Sequence, residues 1–209
     1  MRIIGLTGSI GMGKSTAANA LRRLGIPVHD ADAAVHRLLR TDRSLIAAIE
    51  AAFPGVSTEN GVDRAALGAR VFGDPAALRR LERLIHPEVR RAEAAFLRRM
   101  RANRRALVAL DIPLLFETGG DRRCDATMVV AAPRFLQEQR VLSRAGMTGE
   151  RLAAIRARQA PDGEKRRRAD VVVPTGLSRH FALRILKQAL AVLRHSPPAR
   201  RGLRRRGEI

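Results

Sequence analysis

The stretch Gly8-Ser9-Ile10-Gly11-Met12-Gly13-Lys14-Ser15 constrains this chain more than any other feature. It satisfies the spacing G-x-x-x-x-G-K-[ST] and stands between an apolar run at 3–6 and a helical pattern at 14–24 closed by Gly25. A strand that turns through glycines straight into a helix aims successive backbone N–H groups, and the positive end of the helix dipole, at one point. That arrangement suits the phosphates of a nucleotide. In it Gly8, Gly11, Met12 and Gly13 supply backbone, and Lys14 bridges the β- and γ-phosphates. Ser15 offers its hydroxyl to Mg²⁺, and Thr16 supports the α-phosphate side. ATP as co-substrate and Mg²⁺ as cofactor are the corresponding expectations.

The rest of the chain alternates in the same style. β-type runs at 3–6, 26–28, 106–110, 127–131 and 170–173 are separated by helical patterns, the signature of a parallel sheet wrapped by helices. The pattern at 33–52 is expected to break at Thr41-Asp42. Pro87 is read as the first residue of a helix running to about 103, because proline fits a helix start and not its interior. Helices are also expected at 134–145, 149–159 and 179–193. With 209 residues, one core is the expectation, followed by a basic, disordered tail at 196–209.

A phosphate cradle says nothing about the acceptor, so discriminating residues must come from the ends of other strands. The second run leads into His29-Asp30-Ala31-Asp32. A carboxylate here could take a hydroxyl proton during phosphoryl transfer or could cap the helix that follows, and the two aspartates can divide those roles. Asp111 follows the third run, where it either supports the metal or shapes the turn before Ile112-Pro113. His86, beside Pro87, reads as a helix-start or core histidine rather than a catalyst. Arg140 and Arg144 share a helix face, and Arg140 is the candidate for closing on the transferring phosphate, with a solvated surface role as the alternative.

Taken together these blocks resemble the dephospho-CoA kinases. The resemblance rests on IIGLTGSIGMGKST at 3–16, Asp30-Ala31-Asp32, the block from Ile85-His86-Pro87 to Arg90, and Ile112-Pro113-Leu114-Leu115-Phe116-Glu117. Weaker echoes at Gln139-Arg140, 156–159 and 169–172 extend it to nearly everything except the tail. It implies a P-loop NTPase three-layer α/β fold with a five-stranded parallel sheet, a helical substrate-binding insertion at about 33–105 and a helical lid at about 134–165. It also implies one kinase domain over 1–195 that phosphorylates the ribose 3′-hydroxyl of dephospho-CoA. Asp32 would be the base, and His86, Arg90, Leu115 and Phe116 would lie in the substrate region. Two departures stand out. Ser9 and Met12 replace small residues, and Pro174-Thr175-Gly176 stands where the family has Asn-x-Gly near the adenine.

Net charge is +20, yet only three of the 40 basic residues are lysines (Lys14, Lys165 and Lys187), and arginine is spread through every segment. With no Trp, no Tyr and six Phe, the chain is poorly equipped to stack single-stranded nucleic acid. Neither Lys165 nor Lys187 sits in an Asn-Lys-x-Asp setting, which argues against a guanine-reading switch. No apolar run approaches the roughly 20 residues that cross a bilayer. The lone Cys124 fits a reducing compartment, with the cytoplasm as the default, and a monomer or weak oligomer is the separate expectation for assembly.

Overall fold

The computed structural model describes residues 1–195, and the expected basic tail at 196–209 lies outside the described residues. The chain divides into two compact units. One comprises residues 1–29 together with the chain from 103 onward, and the other comprises residues 30–102. Length suggested a single core, but the buried apolar residues gather in two clusters, one per unit. The segment 30–102 is long enough to bury apolar helix faces of its own.

The first unit is built on a five-stranded sheet. Its strands are β1 (Arg2–Thr7), β2 (Val28–Asp30), β5 (Leu107–Asp111), β6 (Ala126–Ala131) and β7 (Val171–Pro174), in the order β2-β5-β1-β6-β7. β1 lies in the centre and is buried from Ile3 to Thr7, as expected of a parallel strand covered on both faces. Helices α1 (Lys14–Arg23) and α9 (Arg179–His195) cover one face, where Leu21, Leu186 and Leu190 meet Ile4, Leu6, Met128 and Val130. The other face is covered by the segment after β5, including a 3₁₀ turn at Gly120–Arg123, and by α8 (Asp162–Arg168). Helices α6 (Arg134–Leu142) and α7 (Gly149–Ala157) match the expected Arg-rich pair, whereas α8 was not anticipated. Its run Glu164-Lys165-Arg166-Arg167-Arg168 has no apolar stripe to announce a helix.

The second unit holds α2 (Ala31–Thr41), α3 (Arg43–Ala52), a hairpin of β3 (Ser57–Thr58) and β4 (Gly61–Val62), α4 (Arg64–Val71) and α5 (Pro75–Ala102). The break expected at Thr41-Asp42 is present. Each helix starts on an aspartate that accepts backbone N–H groups: Asp30 for α2, Asp42 for α3, Asp63 for α4 and Asp74 for α5. Glu50 accepts from Gly55, Val56 and Ser57, and these bonds, led by that of Gly55, hold its carboxyl below the usual range. Leu39, Leu45, Ile49, Phe53 and Leu81 form the core of the unit.

The expectation of a helix starting at Pro87 requires correction. Pro87 lies inside α5, which begins twelve residues earlier at Pro75 with Asp74 as its cap. The ring frees the carbonyl four residues back, that of Arg83. Arg83, His86 and Pro87 are all exposed, so water can meet that carbonyl while Leu81, Leu84 and Ile85 keep the apolar face continuous. His86 is therefore a mid-helix surface residue and neither a helix-start nor a core histidine.

Candidate active site

Parallel pairing brings the carboxyl ends of the strands to one edge. The register sets Leu6 beside Asp111 and Thr7 beside Val129, so the loop leaving β1 emerges between the ends of β5 and β6. Two glycines fix its course. A Cβ on Gly8 would stand 2.3 Å from Val130 Cγ2 and 2.9 Å from the Val130 carbonyl oxygen. Gly11 has φ 76°, and a Cβ there would also meet Val141 Cγ2 at 2.5 Å. Met12 turns its side chain into the core, where it is 3% exposed and its sulfur accepts the Ala132 N–H at 3.1 Å. The bulkier residue at 12 thus leaves the mouth of the loop clear, and Ser9 is likewise buried.

Lys14 opens α1 and places Nζ 2.7 Å from Asp111 Oδ1, with Asp111 only 2% exposed. Since register puts Asp111 at the strand end next to the loop, this pair follows from topology. Ser15 and Thr16 stand exposed in the first turn of α1, where the backbone N–H groups lack intrahelical partners. A serine hydroxyl and a strand-end carboxylate are donors of the kind a hard cation takes. Among the described residues no group of three or more His, Cys, Asp or Glu could hold a metal ion.

Arg140 lies near the end of α6, half-buried, and donates through Nη2 to the Thr175 carbonyl at 2.9 Å. Thr175 in turn donates its hydroxyl to the Met12 carbonyl at 2.7 Å. The segment Pro174-Thr175-Gly176 therefore joins Arg140 to the phosphate loop. Arg156 is held differently: its guanidinium donates to Gln137 Oε1 and, at 2.8 Å, to Glu138 Oε1. Arg144, Arg151 and Arg158 are exposed.

Two residues expected in the substrate region are buried. Leu115 is 0% exposed, packed against Gly5 and Gly120, and Phe116 is 5% exposed beneath the Arg168 guanidinium, 4.4 Å from the ring centroid. Both belong to the covering layer of the sheet and have almost no surface to offer a ligand. In the second unit Asp30 is committed to the α2 cap, receiving the Ala33 N–H at 2.9 Å, while Asp32 stands exposed in the first turn of α2. His86 and Arg90, four residues apart on α5, are exposed on a shared face.

Comparison with known proteins decides the family. The dephospho-CoA kinase family model matches residues 2–178, which include the whole cradle and its Asp111 and Arg140 partners. This chain belongs to the dephospho-CoA kinase family. A dephospho-CoA kinase of Rhodospirillum rubrum is 61% identical over 204 residues, covering 97% of this chain and 94% of that protein. A solved protein of Thermus thermophilus has TM-score 0.79 at 42% identity, covering 92% of this chain and 97% of its own. The dephospho-CoA kinase from Campylobacter jejuni has TM-score 0.60 at 25% identity, covering 91% and 97%.

In this dephospho-CoA kinase family member, several site residues escaped sequence reasoning. Gln137 donates through Nε2 to the Ile10 carbonyl at 2.7 Å, and Ile10 N–H donates to Gln159 Oε1 at 3.2 Å. Glu117 accepts the Ala160 N–H at 2.8 Å and forms an ion pair at 2.9 Å with Lys165, which is 0% exposed. Burial raises the Glu117 carboxyl, but the Lys165 ammonium and the Ala160 amide outweigh it and hold the group below its usual range. A faint signal for Lys165 did exist: in a chain that uses arginine nearly everywhere, a lysine marks a place where a compact ammonium fits and a guanidinium does not.

Proposed function

We propose that this chain transfers the γ-phosphoryl group of ATP to the ribose 3′-hydroxyl of dephospho-CoA, giving CoA and ADP in the closing step of CoA synthesis. The hydroxyl oxygen attacks the γ-phosphorus as the bond to the β,γ-bridging oxygen breaks, and its proton passes to Asp32. The observation that carries the reading is the cradle: a fixed loop with an ammonium held at its mouth, in a chain that matches the family over residues 2–178. Nucleotide binding exchanges the Lys14 contact with Asp111 for contacts with phosphate oxygens, and Arg140 adds positive charge to those oxygens. Ser15 and Asp111 would hold Mg²⁺, which when bound neutralises charge on the phosphates.

The division of labour between the two aspartates supports Asp32 as base. Asp30 is occupied by the helix cap, whereas Asp32, two residues past the end of β2, keeps an exposed carboxylate. Residues 33–105 serve as the acceptor-binding insertion, with His86 and Arg90 in the substrate region, and residues 134–165 serve as the lid. The use of a single cysteine, the buried Cys124, supports a cytoplasmic setting. Incubation with Mg-ATP and dephospho-CoA should yield a product heavier by one phosphoryl group by mass spectrometry, with AMP, CMP and adenosine poor substitutes. Phosphorylation of one of those three in preference would overturn the acceptor assignment.

A further inference from the structure

A glycine-rich loop meets a conflict between freedom and function. Its glycines must be able to reach conformations closed to other residues, yet the amides that receive phosphate must be fixed before the ligand arrives. Gly11 and Gly13, with φ of 76° and 88°, supply the freedom here. The non-glycine residues flanking Gly11 are the ones held from outside. Met12 is fixed through its carbonyl by Thr175 and through its sulfur by the Ala132 N–H. Ile10 is gripped on both sides of its backbone: its carbonyl accepts from Gln137 Nε2, and its N–H donates to Gln159 Oε1.

Each grip has its own support. Gln137 is 4% exposed, and its Oε1 accepts two donors from Arg156, which leaves Nε2 to face the Ile10 carbonyl. Gln159 is held by its neighbour, since the Ala160 N–H is bonded to Glu117 and Glu117 is paired with the buried Lys165. The amide orientations are set by their partners: only nitrogen at 137 and only oxygen at 159 satisfies the Ile10 backbone.

We propose that Gln137 and Gln159 are positioning residues for the phosphoryl-transfer reaction, clamping the Ile10 backbone so that the following amides face the triphosphate before it binds. The proposal rests on the kinase reading for its significance. Its test does not, because binding of ADP needs neither acceptor nor turnover. The side chains touch the loop and not the reacting atoms, so their effect is on pre-organisation.

Three variants separate this role from packing. Gln137→Glu keeps size and the acceptor for Arg156 but removes the donor to Ile10. Gln159→Leu removes the acceptor, and Gln159→Glu retains it. ADP affinity measured by calorimetry on the full chain should fall about tenfold in Gln137→Glu and in Gln159→Leu. In the nucleotide-free protein the Ile10 amide, followed by NMR, should keep its exchange protection in Gln159→Glu and lose it in Gln159→Leu. Should leucine disturb folding, Gln159→Asn, one methylene short, replaces it with the same expected loss. Wild-type ADP affinity in either the Gln137 or the Gln159 loss variant overturns the proposal. So does loss of Ile10 protection in Gln159→Glu to the extent seen with leucine.

Discussion

Asp30 and Asp32 are two residues apart, yet the structure gives them different environments. A carboxylate that receives a backbone N–H at a helix start has a structural task, while its exposed neighbour has none in the free protein. Replacing Asp32 with asparagine keeps the shape and removes the proton acceptor. It should lower kcat by about 10² or more while leaving ATP affinity within about twofold, read by steady-state kinetics and nucleotide titration. Near-normal turnover would remove Asp32 from the base role. At this scale the sequence was legible where the geometry is local: the glycine spacing, Lys14 and Ser15 lie within one short stretch that forms the turn from β1 into α1. It was not legible for Gln137 and Gln159, whose partner Ile10 is more than a hundred residues away and which no spacing rule connects to it. The burial of Leu115 and Phe116 was illegible for a related reason. An apolar pair in a motif looks the same whether it faces a ligand or the underside of a sheet.

The elements beyond the sheet show how a few polar contacts fix the course of the chain. Glu117 binds the turn between α7 and α8 through Ala160 and neutralises Lys165 within α8. Its carboxyl is held below the ordinary range, so the stabilisation is present above the unfolded value of about 4.3 and fades as pH falls through the folded value. Glu117→Gln leaves a buried ammonium unpaired and should cost on the order of 2–3 kcal/mol at neutral pH. That figure is set below the one for a fully buried pair because the Glu117 side chain is 16% exposed. Thermal melts of wild type and variant should converge as pH falls through the lowered Glu117 value; a constant gap would mean that Glu117 acts by shape alone. Strand and helix positions were largely readable from apolar periodicity, with errors where periodicity competes with a specific residue. Pro87 displaced the true start of α5, which Asp74-Pro75 marks just as well. The hairpin β3–β4 has only two residues per strand, too few for any alternation to appear.

At the scale of the whole molecule, two apolar clusters replace the single core that length suggested. Ile49 is 0% exposed at the centre of the second cluster. Ile49→Ala should destabilise by about 2–5 kcal/mol, and hydrogen exchange should accelerate across 30–102 while β1 and β6 keep their protection. Uniform acceleration would mean that the chain opens as one cooperative body. No helix among the described residues is long and apolar enough to cross a membrane. The ion pair between Lys14 and Asp111 acquires a wider meaning in a chain of net charge +20. Such a molecule attracts every small anion in its surroundings, and an uncovered ammonium at the loop would invite orthophosphate or sulfate to lodge there. With a carboxylate already seated 2.7 Å away, a lone inorganic ion must evict an internal rival, whereas a nucleotide overcomes it through many simultaneous contacts. Competition of this kind weighs more heavily on a short anion than on a long one, whose further contacts lie beyond the reach of a single carboxylate.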